Sequence, residues 1–485
     1  MNRKMCFYTI GKILNVEAIF LLLPTICALI YKEKCFTSLI ITSGIAFLGG
    51  TLLCLLNKSH SKTFFAKEGF VIVALAWILM SLVGALPFYI SGAIPSYVDA
   101  FFETVSGLTT TGASILTNVE ALPKGLLFWR SFTHWIGGMG ILVFVMAILP
   151  SESGRSIHIM RAEVPGPVVG KLVPKISSTA KILYLIYIGL TVLEIIFLLF
   201  GKMPLFDALV NSFGTAGTGG FSIKADGLAS YSAYSQWVIA VFMLLFGINF
   251  NFYYLILTLR LRTVFKSEEL WTYLGIIFAS TALITYNIYN IYNNFSEAIR
   301  NAFFHVASII TTTGYATADF NLWPGLSRGL IFILLFIGGC AGSTAGGFKL
   351  SRVIILFKST IANLKHMLHP SSIESVKFEG KKVENETLNG IFRYTAIYIF
   401  CLTALILVVL FEPFDFETNI TAAVSCFNNV GPGLSKVGPM GSYAAYSWFS
   451  KLALSAGMLL GRLEIYPLIL LFSRGVWIKS RKNKA

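Results

Sequence analysis

The chain has 485 residues, 55% of them hydrophobic and 13% charged, and its mean hydropathy is +0.74; this composition excludes an ordinary soluble globular protein, which cannot bury so much apolar surface. The net charge of +15 does not indicate a nucleic-acid partner, because the basic residues collect in alternate loops, as cytoplasmic loops of multispanning proteins do. The seven cysteines form no CxxC pair, which argues against a metal site or a disulfide framework.

Apolar segments long enough to cross a hydrocarbon core of about 30 Å recur along the chain. They are predicted at 8–31, 37–57, 69–92, 125–149, 181–201, 236–259, 270–292, 326–357, 391–411 and 443–472. About ten crossings, an even number, place both termini on one side, and basic residues near each end put that side in the cytoplasm.

Four short amphipathic stretches lie between certain spans, all in the loops that hold few basic residues. They cover 98–108, 204–214, 295–309 and 416–428. Eleven helical residues extend only about 16 Å, half of the membrane, and each stretch has an acidic residue near its start, where the helix dipole favours a carboxylate. The pattern predicts four re-entrant half-helices that enter from the outer side.

Each half-helix leads into a glycine-containing turn. The candidate ion-binding residues are Thr110, Thr111 and Gly112; Gly217, Thr218 and Gly219; Thr312, Thr313 and Gly314; and Asn429, Val430 and Gly431. A unit of about a hundred residues therefore occurs four times. The predicted fold class is an all-α polytopic membrane protein with four M1–P–M2 pore repeats around a central ion pathway. Its parts are an N-terminal two-helix hairpin (1–65) and repeats at 66–160, 161–265, 266–385 (with a broken second helix) and 386–485.

Irregular backbone at membrane depth survives only where it faces water or replaces water around an ion. Four turns pointing inward supply a ring of carbonyl oxygens for a dehydrated cation, and the half-helices direct their partly negative C-terminal ends to the same place. The turns contain no carboxylate, which favours a monovalent ion over Ca²⁺ or Mg²⁺. One such turn alone is more often a site of small-residue helix packing; four at matching positions argue against that interpretation.

The eighth span is interrupted by a glycine-rich segment, 338–347. The gate candidates in it are Gly338, Gly339, Gly342, Ser343, Thr344, Gly346 and Gly347. Two interpretations are open. The segment is either a tightly packed helix crossing or a flexible constriction that unwinds into the pore and gates it, in keeping with the low helix propensity of glycine.

Arg462 lies in an otherwise apolar run, where a charge is costly and is a functional candidate. It is either the partner of Glu464 in an ion pair, although residues two apart do not share a helix face, or a pore-facing charge. At about 7 Å and an effective dielectric of about 20, its repulsion of a cation is roughly 2.4 kcal/mol. That slows permeation up to about 50-fold without closing the pore, so a gate must be steric.

At these residues the sequence resembles the Trk/Ktr/HKT superfamily of potassium transporters, and within it the TrkH/TrkG branch of membrane subunits. Beyond the four turns, the resemblance rests on the motifs at 135–140, 161–163, 166–167, 341–347 and 461–464. It implies that the backbone at the four turns lines a K⁺ filter, that 338–347 is an intramembrane gate loop and that Arg462 faces the pore. The transported ion is then K⁺, together with Rb⁺. Val430 and Pro432 in the fourth turn depart from the Thr-Gly pattern.

The resemblance also implies a homodimer in a bacterial inner membrane, regulated by a cytoplasmic TrkA-type nucleotide-binding subunit. The basic loops 151–180 and 358–390 are candidate docking surfaces for that subunit, and equally candidate topology signals.

Three functions stay open at this point. The first is a gated, channel-like potassium uptake protein driven by the membrane potential. The second is a potassium transporter coupled to H⁺ or Na⁺, for which inverted repeats and a midplane acid are expected. The third is a non-transporting membrane subunit, which leaves the four turns without a purpose; no nucleophile–base cluster suggests an enzyme.

Overall fold

The computed structural model describes residues 2–57, 66–140, 176–292, 294–371 and 375–477. The described chain is helical apart from one small β-hairpin, β1 (Lys377–Phe378) and β2 (Lys381–Lys382), in which Lys377 pairs with Lys382. The helices are α1 (Arg3–Ile30), α2 (Phe36–Leu56), α3 (Ala66–Ile90), α4 (Tyr97–Leu108), α5 (Lys124–Gly138), α6 (Ile176–Phe200), α7 (Leu205–Gly217), α8 (Ala233–Phe246), α9 (Phe250–Leu257), α10 (Leu261–Phe265), α11 (Glu268–Tyr292), α12 (Phe295–Ile310), α13 (Gly325–Ile337), α14 (Leu350–Leu368), α15 (Asn385–Val409), α16 (Phe416–Phe427), α17 (Trp448–Arg462), α18 (Tyr466–Phe472) and α19 (Arg474–Trp477).

The N-terminal hairpin of α1 and α2 packs through small residues. A β-carbon at Gly11 would lie 2.6 Å from the carbonyl oxygen of Gly50, so glycine lets the two backbones approach closely. Glu33, in the connection between them, accepts hydrogen bonds from the amides of Lys124 and Gly125 at 2.7 and 2.8 Å. The hairpin is thereby attached to the start of α5, whose first amides lack helical partners.

Six of the described helices, α1, α2, α3, α6, α11 and α15, are long and apolar enough to cross a membrane. Their outward faces carry exposed large apolar residues such as Leu55 and Phe200, 71% and 76% exposed, as expected for surfaces that face lipid. These spans confirm the predicted multispanning fold.

Two predicted continuous spans are wrong in detail, because the structure breaks them. The span at 236–259 bends by 91° between α8 and α9, and the span at 443–472 bends by 120° between α17 and α18. Asn249 caps the new helix α9 by accepting the amide of Asn251 at 3.0 Å, and Glu464 and Ile465 both have positive φ at the second break. The predicted interruption of 326–357 is present between α13 and α14.

The four predicted half-helices are present as α4, α7, α12 and α16, within three residues of the predicted bounds. Ser96, Asn294 and Asp415 each cap one of them by accepting a backbone amide, which satisfies a donor that the helix leaves open. Each helix has its acidic residue in the first turn.

Some predictions lie outside the described residues. These are the end of the span at 125–149, the motifs at 161–163 and 166–167, most of the basic loop 151–180 and the basic C-terminal end. The domain bounds 65/66 and 160/161 lie there too, and all the repeat boundaries stay predictions.

Candidate functional site

The four short helices end in the same backbone conformation. One residue just after each helix has a left-handed backbone, with φ between 54° and 57°: Thr110, Thr218, Thr312 and Asn429. Two positions later each turn has a glycine with positive φ: Gly112, Gly220, Gly314 and Gly431. A left-handed residue other than glycine costs about 1–2 kcal/mol, so three threonines and one asparagine in this conformation at four matching positions indicate that the turn is imposed by its surroundings.

The residue between these two positions is held by the helix end. The amides of Thr111, Gly219 and Thr313 each donate to a carbonyl five residues earlier at 2.8 Å, and that of Val430 does so at 3.0 Å. These bonds close the C-terminal end of each short helix. The carbonyls of the same four residues are left to face the neighbouring turn.

The turns contact one another in a closed cycle. A β-carbon at Gly112 would lie 2.1 Å from the carbonyl oxygen of Gly219, and one at Gly220 would lie 1.9 Å from that of Thr313. The cycle continues from Gly314 to the Val430 oxygen at 2.1 Å and returns from Gly431 to the Thr111 oxygen at 2.4 Å. We call the carbonyls of Thr111, Gly219, Thr313 and Val430 the carbonyl ring.

The second turn has a different register from the predicted one. The sequence suggests Gly219 as the counterpart of Gly112, Gly314 and Gly431, whereas the backbone places Gly220 at that position and Gly219 in the carbonyl ring. The matching triplet is therefore 218–220, and Gly217 is the last residue of α7. The other three predicted triplets have the same register as each other.

Side chains around the turns are less symmetric than the backbone. Thr109 and Thr111 share a hydroxyl–hydroxyl hydrogen bond of 2.8 Å, and so do Thr311 and Thr313. In the fourth repeat, Asn429 instead donates to the hydroxyl of Thr111 at 3.0 Å and to the carbonyl of Met458 at 2.9 Å. This amide joins the last turn to the first.

Sequence reasoning missed a buried histidine that bridges the first two turns. Nδ1 of His134 lies 2.8 Å from the Gly107 carbonyl oxygen, and Nε2 accepts the amide of Phe221 at 3.2 Å. Both contacts together require the neutral ring with its proton on Nδ1. The signal available in the sequence was a lone polar ring in an apolar span.

A buried ion pair behind the turns was also missed. Glu103 of α4 and Arg130 of α5 lie 2.6 Å apart with side chains 0% and 3% exposed. Glu103 also accepts the hydroxyl of Ser114 and the amide of Ile115, both at 2.9 Å, while Arg130 donates to the Ser222 carbonyl at 2.8 Å. The pair therefore holds the segments that follow the first and second turns.

We expect Arg130→Ala to lower the stability of the protein by about 3–5 kcal/mol, because it leaves the Glu103 charge buried without its partner. The measurement is thermal unfolding in detergent micelles. Arg328→Ala is the matched control: its pair with Glu417 has side chains 31% and 42% exposed, and such pairs contribute less than about 1 kcal/mol. Equal losses in the two variants would contradict the assigned role.

The carbonyl ring lies between a cavity and the glycine-rich loop. The cavity, of about 280 Å³, touches all four turns on the side of the segments that follow the glycines. The loop contacts the turns from the helix side: the Gly346 amide donates to the Thr312 hydroxyl at 2.6 Å, and a β-carbon at Gly346 would lie 2.8 Å from the Asn428 carbonyl oxygen.

The loop between α13 and α14 is not a plain helix crossing, because its backbone is irregular and bonded to its surroundings. The Cys340 amide donates to the Gly247 carbonyl at 3.0 Å, and the Gly342 carbonyl accepts the amide of Phe250 at 3.0 Å. These contacts use the break between α8 and α9. The Thr344 hydroxyl donates to the Phe246 carbonyl at 3.1 Å, so the second repeat supports the loop of the third.

Arg462 contacts the loop directly. It is 8% exposed and donates to the Thr344 carbonyl at 2.9 Å and to the carbonyls of Gly137 and Gly138 at 2.5 and 2.8 Å. Glu464, considered as its partner, forms an ion pair with Arg352 of α14. Arg462 thus joins the loop to the end of α5.

The predicted gate residues are seven positions of this loop together with Arg462, which is hydrogen-bonded to the loop. Gly338, Gly342 and Gly347 have positive φ, and Gly339 has the side chain of Ala345 2.6 Å from where its β-carbon would stand. Ser343 donates to the Cys340 carbonyl at 2.6 Å. Lys349, which was not predicted, is 1% exposed and donates to the Ala345 carbonyl.

Half-helices, matching turns and broken second helices define an all-α polytopic membrane protein built from four pore repeats and an added hairpin. The sequence matches the TrkH family, described as cation transport proteins, over residues 37–278 and 292–477. The chain belongs to this family.

Similar proteins cover nearly the whole chain. The Trk system potassium uptake protein TrkH of Salmonella typhimurium is 35% identical over 463 residues, 94% of this chain and 95% of that protein. TrkH of Halomonas elongata is 32% identical over 99% of this chain and 100% of its own length. The crystal structure of the potassium transporter TrkH from Vibrio parahaemolyticus superposes with a TM-score of 0.89 at 29% identity, covering 99% and 100% of the two chains.

Proposed function

We propose that this protein is a gated, channel-like potassium uptake protein that conducts K⁺ and Rb⁺ through the carbonyl ring. The observation that carries the proposal is the closed cycle of the four turns, in which each carbonyl of the ring packs on the glycine of a neighbouring repeat. Four backbone oxygens on a common ring can replace the hydration shell of a monovalent ion. Relatives that are potassium uptake proteins support K⁺ as the ion.

The surroundings of the ring suit a cation. The four short helices end at the turns and direct their partly negative ends there. The filter residues of the proposal are Thr110–Gly112, 218–220, Thr312–Gly314 and Asn429–Gly431, none of which carries a carboxylate. A ring without carboxylates favours K⁺ over Ca²⁺ or Mg²⁺.

The gate of the proposal is the loop 338–347, which lies across the inner side of the turns. Gly346 of the loop donates its amide to the Thr312 hydroxyl and packs against the Asn428 carbonyl, so the loop is in direct contact with the third and fourth turns. Arg462 holds the loop in this position through the Thr344 carbonyl. Opening then requires the loop to leave these hydrogen bonds.

The finer features belong to the same proposal. We place the protein in a bacterial inner membrane with both termini cytoplasmic, as the basic loops favour. We also retain the predicted division into an N-terminal hairpin and four repeats. We also propose a homodimer and a cytoplasmic TrkA-type nucleotide-binding subunit as partners, with the basic loops 151–180 and 358–390 as candidate docking surfaces for that subunit. We propose that the protein transports ions and is not an enzyme.

The test is ⁸⁶Rb⁺ uptake into K⁺-loaded proteoliposomes that contain this chain alone, with external K⁺, Na⁺ or Li⁺ as competitor. We expect saturable uptake that K⁺ inhibits well and Na⁺ poorly, without any imposed proton or sodium gradient. Uptake that requires such a gradient would refute the passive pathway. If no ion moves, the assay is repeated with the TrkA-type subunit, and continued absence of uptake refutes the proposal.

A transporter coupled to H⁺ or Na⁺ is the second candidate, and one observation favours it. Glu17 of α1 is 0% exposed, and its carboxylate oxygens have no hydrogen-bond partner among the described residues. A buried intramembrane acid is a candidate proton carrier. Glu194 of α6 is a second such acid, 0% exposed and without a hydrogen-bond partner among the described residues. Glu17 lies behind α4, near Gly84 and Thr104, and the four turns themselves carry no carboxylate, so the passive pathway is the better supported function.

A further inference from the structure

The β-hairpin after α14 has an unusual turn. Its two central residues, Glu379 and Gly380, have φ of 52° and 74°. Two-residue turns with both φ positive favour asparagine or aspartate followed by glycine. A glutamate in the left-handed region is strained, and strain of this kind is retained where the position of the side chain matters.

The Glu379 carboxylate is bound to the start of α11. Its Oε1 accepts the hydroxyl of Ser267 at 2.8 Å and the amide of Glu269 at 3.0 Å. The first amides of a helix have no partner within it, so the hairpin supplies one from more than a hundred residues away in sequence. Phe378, the residue before Glu379, packs on the hydrophobic core.

Glu269 contacts the gate loop with its own side chain. Its Oε1 accepts the amide of Ala341 at 2.8 Å, and the residue is 3% exposed. Ala341 follows Cys340, whose amide is bound to the Gly247 carbonyl. A continuous path of hydrogen bonds therefore leads from the exposed hairpin through Glu379 and Glu269 to the loop.

A second set of contacts holds the hairpin in place. Lys358 of α14 forms an ion pair with Glu268, next to Glu269, and donates to the Lys377 carbonyl of β1 at 3.0 Å. Helix α14 starts where the loop ends. The hairpin is thus fixed to both elements that anchor the loop, α11 before it in sequence and α14 after it.

We propose that Glu269 is a positioning residue of the gate loop and that the hairpin at 377–382 acts on the loop through Glu379. Displacement of the hairpin releases the start of α11, shifts the Glu269 carboxylate and frees the Ala341 amide. The inference rests on the proposed gating role of the loop. By this inference, a partner that displaces the hairpin on the cytoplasmic side changes the position of the gate loop.

The experiment uses the full-length protein in proteoliposomes and a native reporter. Cys340 is a buried free thiol inside the loop, so its rate of modification by a small methanethiosulfonate reports loop opening once the six other cysteines are replaced by serine. ⁸⁶Rb⁺ uptake is measured in parallel. The variants are Glu269→Ala, Glu269→Gln, Glu379→Ala and Glu379→Gln.

We expect Glu269→Ala to raise both the Cys340 modification rate and Rb⁺ uptake roughly tenfold, the effect of losing one hydrogen bond to a charged acceptor. Glu379→Ala should raise both about threefold, because its bonds are more exposed to water. The two glutamine variants keep an acceptor oxygen and should stay close to the parent protein. Glu386→Ala removes an exposed carboxylate from the first turn of α15, just after the hairpin, and should change neither readout.

An unchanged Cys340 rate in Glu269→Ala and Glu379→Ala would overturn the inference, while the loop could still be the gate. A raised Cys340 rate with unchanged Rb⁺ uptake would instead refute the gating role of the loop itself. If Glu269→Ala does not elute as a folded protein, Glu379→Ala at the surface decides the question with the same two readouts.

Discussion

Replacing Gly220 by alanine should abolish Rb⁺ uptake that K⁺ inhibits. The backbone at Gly220 has φ of 72°, and a β-carbon there would lie 1.9 Å from the carbonyl oxygen of Thr313. Alanine pays about 1–2 kcal/mol for this conformation and cannot occupy the space, so the turn must move and the carbonyl ring opens between the second and third repeats. Uptake into proteoliposomes is the measurement.

Gly329→Ala serves as the control, because a β-carbon at Gly329 meets no atom within 4 Å and alanine is the better helix former. We expect normal uptake from it. The register of the second turn is tested at the same time: if Gly220→Ala transports Rb⁺ like the parent protein, the assignment of Gly220 to the position of Gly112, Gly314 and Gly431 is wrong.

Arg462→Ala should increase Rb⁺ uptake at least about tenfold. The guanidinium donates to Thr344 of the loop and to Gly137 and Gly138 at the end of α5, and hydrogen bonds from a charged group contribute about 1.5–3 kcal/mol each. Their loss releases the loop, and removal of the charge lowers the repulsion that a cation meets. A coupled carrier should lose turnover instead.

Arg462→Lys separates the two causes. Lysine keeps the positive charge but is a point charge that cannot reproduce the planar guanidinium contacts. If the contacts hold the loop closed, the lysine variant should conduct nearly as fast as the alanine variant; if repulsion dominates, it should stay slow. Reduced uptake in both variants would contradict the role of Arg462 as a restraint on the loop.

The short helices were predictable because their signals are local. An acidic residue in the first turn, too few residues to cross the membrane and a following glycine turn together identify α4, α7, α12 and α16 within three residues. The four copies reinforced one another, since a pattern that is ambiguous once is specific when it recurs at the same spacing.

The register of the second turn could not be predicted from spacing. Gly217, Gly219 and Gly220 lie together there, and the sequence pattern Thr-Gly selects Gly219. Tertiary contacts set the register. A β-carbon at Gly219 would lie 2.2 Å from Nδ1 of His134, whereas one at Gly220 would lie against the carbonyl oxygen of Thr313 in the third turn. Contacts between repeats are not visible in a single repeat.

The breaks at 247–249 and 463–465 were missed for a similar reason. Hydropathy averaged over a membrane-length window stays high across both, despite Arg462 and Glu464 at the second. The second bend lies where its helix meets a turn, since a β-carbon at Gly461 would lie 1.9 Å from the Phe427 carbonyl oxygen. One signal was available, since Pro467 stands at the start of α18, where proline commonly begins a helix.

The cycle of glycine-to-carbonyl contacts has a consequence for how this pore can vary. In a pore made of four identical chains, one codon changes all four turns at once, whereas here each turn is encoded separately. Pro432, which stands 2.8 Å from where a Gly314 β-carbon would be, is present in a single quarter of the ring. A residue that four-fold repetition would forbid can thus be accepted once, and each quarter of the proposed filter can change independently of the other three.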